Sequence, residues 1–226
     1  MIQVIKPGKL KLGVLASGRG SNFLAIYEAI KEEKLNAEIK VLISDKKDAP
    51  ALKKAEERGI DSVLIDPALF ENKESFEKRI VTVLKEYEVD LIVLAGYMRL
   101  LGKTVLKAYP LRIVNIHPAL LPSFTGLDAQ RQALEYGVRY SGCTVHIVDE
   151  GMDTGPIILQ AVVPVYQDDT VESLSERILQ EEHKIYWQAI KLLSEGRVYL
   201  EGRRIIIMDE RKGAVNLNMM KKLKQS

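Results

Sequence analysis

Asn115 and His117 stand two residues apart in the run Arg112-Ile113-Val114-Asn115-Ile116-His117, and Pro118 follows at once. The run is apolar and β-branched, so it reads as a strand, on which residues two apart project from the same face. Their Cα atoms then lie roughly 6.5 Å apart. An amide donor and an imidazole at that spacing can converge on one atom, and the chemistry they suit is stabilisation of an oxyanion. Pro118 offers no N–H to a ladder and ends the strand there. The pair is left at the carboxyl edge of a sheet, where open α/β sheets bind their ligands.

A third group comes from farther along, in Asp153-Thr154-Gly155-Pro156. Gly151 and Gly155 make its segment a loop or tight turn, and Pro156 directs the chain into a following strand. A carboxylate within hydrogen-bond reach of an imidazole favours the protonated ring and fixes its orientation. Asp153 is therefore the candidate partner of His117. Taken singly, His117 reads sooner as a satisfied strand-end histidine and Asp153 as a turn former; together with Asn115 and the proline-bounded strand they point to a site. His146 reads as a buried strand residue and His183 as one lining a helix face. One Cys and three dispersed His residues show no zinc-ligand spacing, so no metal is expected, and the absence of a Gly-x-Ser-x-Gly elbow argues against a serine nucleophile.

The turn Ser17-Gly18-Arg19-Gly20-Ser21-Asn22 offers an anion site. Two glycines let the backbone turn sharply between strand and helix, and the N–H groups at a helix start can grip a phosphate. An ordinary tight βα loop would look similar. A Walker loop would need Gly-Lys-Ser/Thr, and a dinucleotide fingerprint would need Gly or Ala where Phe23 stands, so a single phosphate fits better. Asp45, at the end of the second strand, is either an imitation of a ribose-binding acid or part of the turn Ser44-Asp45-Lys46.

The elements that must position these groups alternate between strand and helix. Strands are expected at Leu10 to Ala16, Ile39 to Ile43, Ser62 to Ile65, Leu91 to Ala95, Ile113 to His117, Cys143 to Val148 and Ile157 to Val163. Helices are expected at Phe23 to Glu33, Ala51 to Arg58, Phe76 to Tyr87, Gly102 to Ala108, Ala129 to Tyr136 and Thr170 to Glu195, the last capped by Thr170. Leu91-Ile92-Val93-Leu94-Ala95 is apolar on both faces, as a central parallel strand should be. Val198 to Leu200 and Ile205 to Ile207 flank a turn at Glu201-Gly202 and resemble a terminal hairpin. The fold class is α/β, with a mostly parallel central sheet and helices on both faces.

Bulk properties agree with this. A chain of 226 residues that is 46% hydrophobic can bury a large core. One domain over 1–226 is expected, with 1–10 as an N-terminal extension and 208–226 as a tail whose order the residues do not set. With 33 basic and 31 acidic side chains the charge of +2 is too balanced for a surface that coats nucleic acid. Lys221, Lys222 and Lys224 read as a frayed, solvated terminus. Cys143 stands alone, no stretch approaches a membrane span, and a cytoplasmic location is expected.

Ser17-Gly18-Arg19-Gly20-Ser21-Asn22, Leu94-Ala95-Gly96-Tyr97-Met98-Arg99-Leu100-Leu101, Asn115-Ile116-His117-Pro118-Ala119-Leu120-Leu121-Pro122 and Asp153-Thr154-Gly155-Pro156 occur in that order. Together they resemble the phosphoribosylglycinamide formyltransferases, the folate-dependent glycinamide ribonucleotide transformylases of purine synthesis, over about Lys11 to Glu195. The resemblance implies a formyltransferase-type, Rossmann-like fold and transfer of formyl from 10-formyltetrahydrofolate to the amine of 5′-phosphoribosylglycinamide, with no covalent enzyme intermediate and no metal. It makes Asn115, His117 and Asp153 catalytic, and Gly18, Arg19, Gly20, Ser21 and Asn22 the phosphate turn. It sets Glu182 at the ribonucleotide. Folate contacts would come from Met98, Arg99, Leu100 and Leu101 and from Val148, Asp149, Glu150, Gly151 and Met152. For Arg99 the phosphate and a surface role stand as alternatives. Thr125 and Trp187 replace prolines often seen in the family.

Other readings compete with this one. Methionyl-tRNA formyltransferase shares the Asn/His segment but usually continues into a basic tRNA-binding domain, for which only Val198 to Ser226 remains here. A nicotinamide-dependent oxidoreductase explains the alternating strands and paired glycines but gives Asn115, His117 and Asp153 no task. A non-catalytic nucleotide-binding protein accounts for the phosphate turn alone. Small-molecule substrates are expected, without nucleic acid or membrane partners.

Overall fold

The computed structural model describes residues 1–208, and the lysines of the basic tail lie outside the described residues. In chain order the strands are β1 (Ile2–Gln3), β2 (Leu10–Leu15), β3 (Ala37–Ser44), β4 (Ser62–Leu64), β5 (Leu91–Leu94), β6 (Ile113–His117), β7 (Tyr140–Ile147), β8 (Ile157–Pro164), β9 (Val198–Glu201) and β10 (Arg204–Ile207). The helices are α1 (Ser21–Lys31), α2 (Pro50–Glu56), α3 (Lys73–Glu86), α4 (Lys103–Ala108), α5 (Ala129–Tyr136) and α6 (Val171–Ser194).

Seven strands form one sheet in the order β4-β3-β2-β5-β6-β7-β8. The first five run parallel, while β7 and β8 join antiparallel. From β2 the chain winds outward through β3 and β4, then returns to lay β5 on the other side of β2. This reversal opens a crevice beyond the carboxyl ends of β2 and β5, where two loops part from neighbouring strands.

Strand alternation divides the core between the two sheet faces. Val14, Val93 and Val114 pack with Phe23 and Ile26 of α1 and Ile178 and Tyr186 of α6. Leu15, Ile92, Leu94 and Ile113 pack instead with Ile80 and Leu84 of α3 and Val105 of α4. Gly13 belongs to this close packing, because a Cβ there would meet Leu84 Cδ2 at 2.5 Å. Tyr186 is fully buried, with its hydroxyl 2.9 Å from the Leu94 carbonyl and 3.0 Å from that of Val114, so α6 is fastened to the neighbouring strands β5 and β6.

Several boundaries differ from expectation for local reasons. Helix α3 begins at Lys73, ahead of its apolar stripe, because Asn72 accepts from the Ser75 N–H and completes a capping box. Thr170 caps α6 as expected, with Ser173 as its reciprocal partner. Strand β7 starts at Tyr140 because it pairs with β8 back to Pro164. The terminal hairpin is present, and the N-terminal segment adds β1 to it as a third strand, pairing Ile2 with Leu200.

Candidate active site

Strand β6 carries Asn115 and His117 to the carboxyl edge of the sheet, and its antiparallel partner β7 sets His146 opposite Asn115 and Thr144 opposite His117. Asp153 lies in the β7–β8 connection with a left-handed φ of 54°. Its Oδ2 is 3.4 Å from His117 Nδ1, and its Oδ1 is 3.7 Å from His146 Nε2. The Gly126 N–H donates to Asp153 Oδ2 at 2.8 Å, which holds the carboxylate between the two rings. The structure thus brings together the three side chains singled out by spacing and adds His146 to them.

Hydrogen bonds settle what each ring can do. His117 Nε2 is 2.7 Å from the Phe124 carbonyl, which only accepts, so this nitrogen carries a proton. His146 Nδ1 is 3.0 Å from the Ile147 carbonyl and by the same logic donates. Its Nε2 faces Asn115 Nδ2 at 3.2 Å and accepts from that amide when the ring is neutral. Burial lowers the His146 pKa and favours that neutral form. One Asn115 N–H is thereby engaged, and an amide has a second.

The phosphate turn is shaped by α2 as well as by its own glycines. Gly20 precedes α1 with φ 70°, and no side chain among the described residues caps the helix, an arrangement in which the first N–H groups can accept an anion as partner. A Cβ at Gly20 would sit 2.8 Å from Ala51 Cβ, so glycine is required for close approach as well as for backbone sign. From α2 the Ala51 N–H donates to the Gly18 carbonyl at 3.2 Å and Lys54 Nζ to the Arg19 carbonyl at 2.7 Å. Asn22 Nδ2 donates to Glu182 Oε2 at 2.7 Å, joining two residues 160 positions apart. Burial pushes the Glu182 carboxyl above the usual glutamate range, and Asn22 Oδ1 is buried without a partner among the described residues.

One cleft of about 1330 Å³ is lined by the phosphate turn, Asn115, His117, His146, Asp153 and Glu182, and also by Met98 to Leu101, Val148, Gly151 and Met152. Met98, Leu100 and Met152 are exposed apolar side chains on its wall. Asp149 and Glu150 do not line it. Asp149 Oδ1 instead accepts from the Gly151 N–H and the Thr154 hydroxyl, folding the loop on itself, and Glu150 is exposed. Arg99 is paired with Asp45, and Arg203 of the terminal hairpin donates to the Thr154 carbonyl at 2.6 Å, beside Asp153.

His146 is the buried strand residue expected, and what spacing alone missed is that it and Asp45 connect to the site. The alternation of Thr144 and His146 along β7 was the available signal, but only the antiparallel register with β6 shows which strand they face. Asp45 sits in the bend Ser44-Asp45-Lys46, as expected, where the Lys46 N–H donates to Ser44 Oγ at 3.2 Å, and it is buried and does not line the cleft, so it is no ribose acid on the cleft wall. Among the described residues no group of three or more His, Cys, Asp or Glu side chains could hold a metal ion. No described helix is long and apolar enough to cross a membrane.

The profile of the family described as Formyl transferase matches residues 10–190. The chain is 50% identical over 183 residues to phosphoribosylglycinamide formyltransferase of Bacillus subtilis (strain 168), covering 81% of this chain and 94% of that one. It is also 44% identical to a segment of the trifunctional purine biosynthetic protein adenosine-3 of Homo sapiens, covering 85% of this chain and only 19% of the human protein. The crystal structure of glycinamide ribonucleotide transformylase 1 from Symbiobacterium toebii superposes with a TM-score of 0.88 at 51% identity, over 89% of this chain and 95% of that one.

Proposed function

This chain belongs to the formyl transferase family, and from that premise we propose that Asn115, His117 and Asp153 carry out the chemistry of a phosphoribosylglycinamide formyltransferase. The enzyme transfers the formyl group of 10-formyltetrahydrofolate to the amine of 5′-phosphoribosylglycinamide in purine biosynthesis.

The amine attacks the formyl carbon, a C–N bond forms, and the carbonyl oxygen takes up the negative charge. Asn115 donates to that oxygen through its amide, and His117 through Nε2, which exchanges the Phe124 carbonyl for the oxyanion. Asp153 stays against His117 Nδ1, orienting the ring and balancing its charge. Collapse of the tetrahedral intermediate breaks the bond to folate N10. The proton lost by the attacking amine passes to N10 with the help of Asp153, directly or through water, so the formylated product and tetrahydrofolate leave with atoms and charge balanced.

The substrate's phosphate binds the N–H groups of Gly20 to Asn22, and Glu182 meets its ribose-glycinamide portion. The pterin takes the apolar wall of Met98, Leu100 and Met152, with Val148 and the backbone of Gly151 and Leu101 beside it. One domain in the cytoplasm, acting on these small molecules without nucleic acid, completes the reading.

The observation that carries this reading is the Asp153 carboxylate set between His117 and His146 in the same cleft as the phosphate turn. The test supplies purified protein with 10-formyltetrahydrofolate and either glycinamide ribonucleotide or charged initiator tRNA, following folate release. Turnover with the ribonucleotide supports the assignment; turnover with the tRNA alone rejects it.

A further inference from the structure

Asp45 follows β3 directly, its side chain is 2% exposed, and both of its oxygens are committed. Oδ1 accepts from the Ser17 hydroxyl at 2.6 Å, and Oδ2 accepts from Arg99 Nε at 2.8 Å. The Ser17 hydroxyl oxygen in turn accepts the Met98 N–H at 3.0 Å, while the Ser17 N–H donates to the Gly96 carbonyl at 3.0 Å. Ser17 is the residue before the phosphate turn, and Gly96, Met98 and Arg99 lie in the loop that forms the folate side of the cleft. The two loops leave neighbouring parallel strands, where Leu15 pairs with Leu94. They part at the switch point and are tied together by the two Ser17 bonds, with one buried carboxylate holding the Ser17 hydroxyl and Arg99.

A carboxylate this deeply buried is stable only when its oxygens are matched by good donors, and the bond from a guanidinium is charge-assisted. The Arg99 guanidinium is held at Nε, stands 5.9 Å from the centre of the Phe76 ring, and has no other hydrogen-bond partner among the described residues. Its Nη edge is therefore left to the cleft, which Arg99 lines and Asp45 does not.

We propose that Asp45 is a positioning residue for the folate: acting through Ser17 and Arg99, it holds the Met98–Arg99 backbone and the Arg99 guanidinium in register with the phosphate turn. The inference rests on the reading of the cleft in the preceding subsection. Loss of a carboxylate serving stability alone would lower the melting temperature without affecting one substrate more than the other. A positioning role makes the folate terms selectively sensitive.

The experiment compares wild-type enzyme with Asp45→Ala and Asp45→Asn, the second of which keeps an oxygen for the Ser17 hydroxyl but loses the charge facing Arg99. In Asp45→Ala the KM for 10-formyltetrahydrofolate is expected to rise about tenfold, as loss of a charge-assisted bond implies, with kcat and the ribonucleotide KM within about threefold. Asp45→Asn should fall between the two, and combined with Arg99→Gln it should add less than the sum of the single effects. Hydrogen exchange in the absence of substrate should show the Met98 amide losing protection in Asp45→Ala and keeping most of it in Asp45→Asn. Equal rises in both KM values, or an unchanged folate KM with an unchanged Met98 amide, would overturn the proposal. Wild-type turnover with the two substrates tests the underlying reading separately, and the exchange measurement reads the Asp45 linkage whatever that turnover shows.

Discussion

Asn115 and His146 face each other across the β6–β7 ladder, with Asn115 Nδ2 3.2 Å from His146 Nε2. Because His146 Nδ1 donates to the Ile147 carbonyl, the neutral ring presents an acceptor to the amide and determines which way the carboxamide points. His146→Leu removes that acceptor. A neutral hydrogen bond contributes about 0.5–1.5 kcal/mol, so kcat should fall by roughly three- to tenfold, with little change in the ribonucleotide KM. His146→Gln, which offers an amide oxygen, should recover part of the loss. Steady-state kinetics of the two variants check this, and a wild-type kcat in the leucine variant would remove His146 from the account.

On the proposed mechanism Asp153 acts on the transition state more than on bound substrate. Replacing it by Asn keeps the shape but removes the charge opposite His117, and should depress kcat by about 10²-fold or more while leaving affinity for the phosphorylated substrate nearly unchanged. Rapid-mixing turnover with an equilibrium binding measurement separates the two. An unaltered kcat would mean that the carboxylate only shapes its loop.

Glu182 predicts a pH dependence of stability. Burial raises its pKa above the ordinary glutamate value of 4.5, so the folded protein keeps this proton at a pH where the unfolded chain has lost it. The associated stability is complete below the unfolded value and is lost as pH rises through the folded one. Glu182→Gln cannot ionise, yet its amide oxygen can still accept from Asn22. Denaturant unfolding should show the variant gaining on wild type as pH rises from about 4 toward neutrality. Parallel curves would rule out a buried, pKa-raised Glu182.

Much of this arrangement was legible in the residues, and the failures share a cause. The β6 run Ile113 to His117 was readable because alternation and Pro118 set its face and its end, and Gly20 marked the turn because few other residues tolerate its left-handed backbone. Thr170 was visible as a cap because such bonds are local. His146 and Asp45 depend instead on strand neighbours far apart in sequence: β7 runs antiparallel to β6, and β3 lies beside β2, and neither relation leaves a local pattern. Asp149 and Glu150 show the converse, since a segment can line a cleft while particular side chains turn into their own loop or out to solvent.

His117→Ala gives the most direct test of the central claim that this cleft stabilises an oxyanion beside a bound sugar phosphate. In single-turnover formyl transfer at saturating substrates, the rate should fall by about 10²–10³-fold, while the dissociation constant for the ribonucleotide stays within about threefold of wild type. A rate equal to that of wild type, or a loss accounted for wholly by weaker ribonucleotide binding, would contradict it.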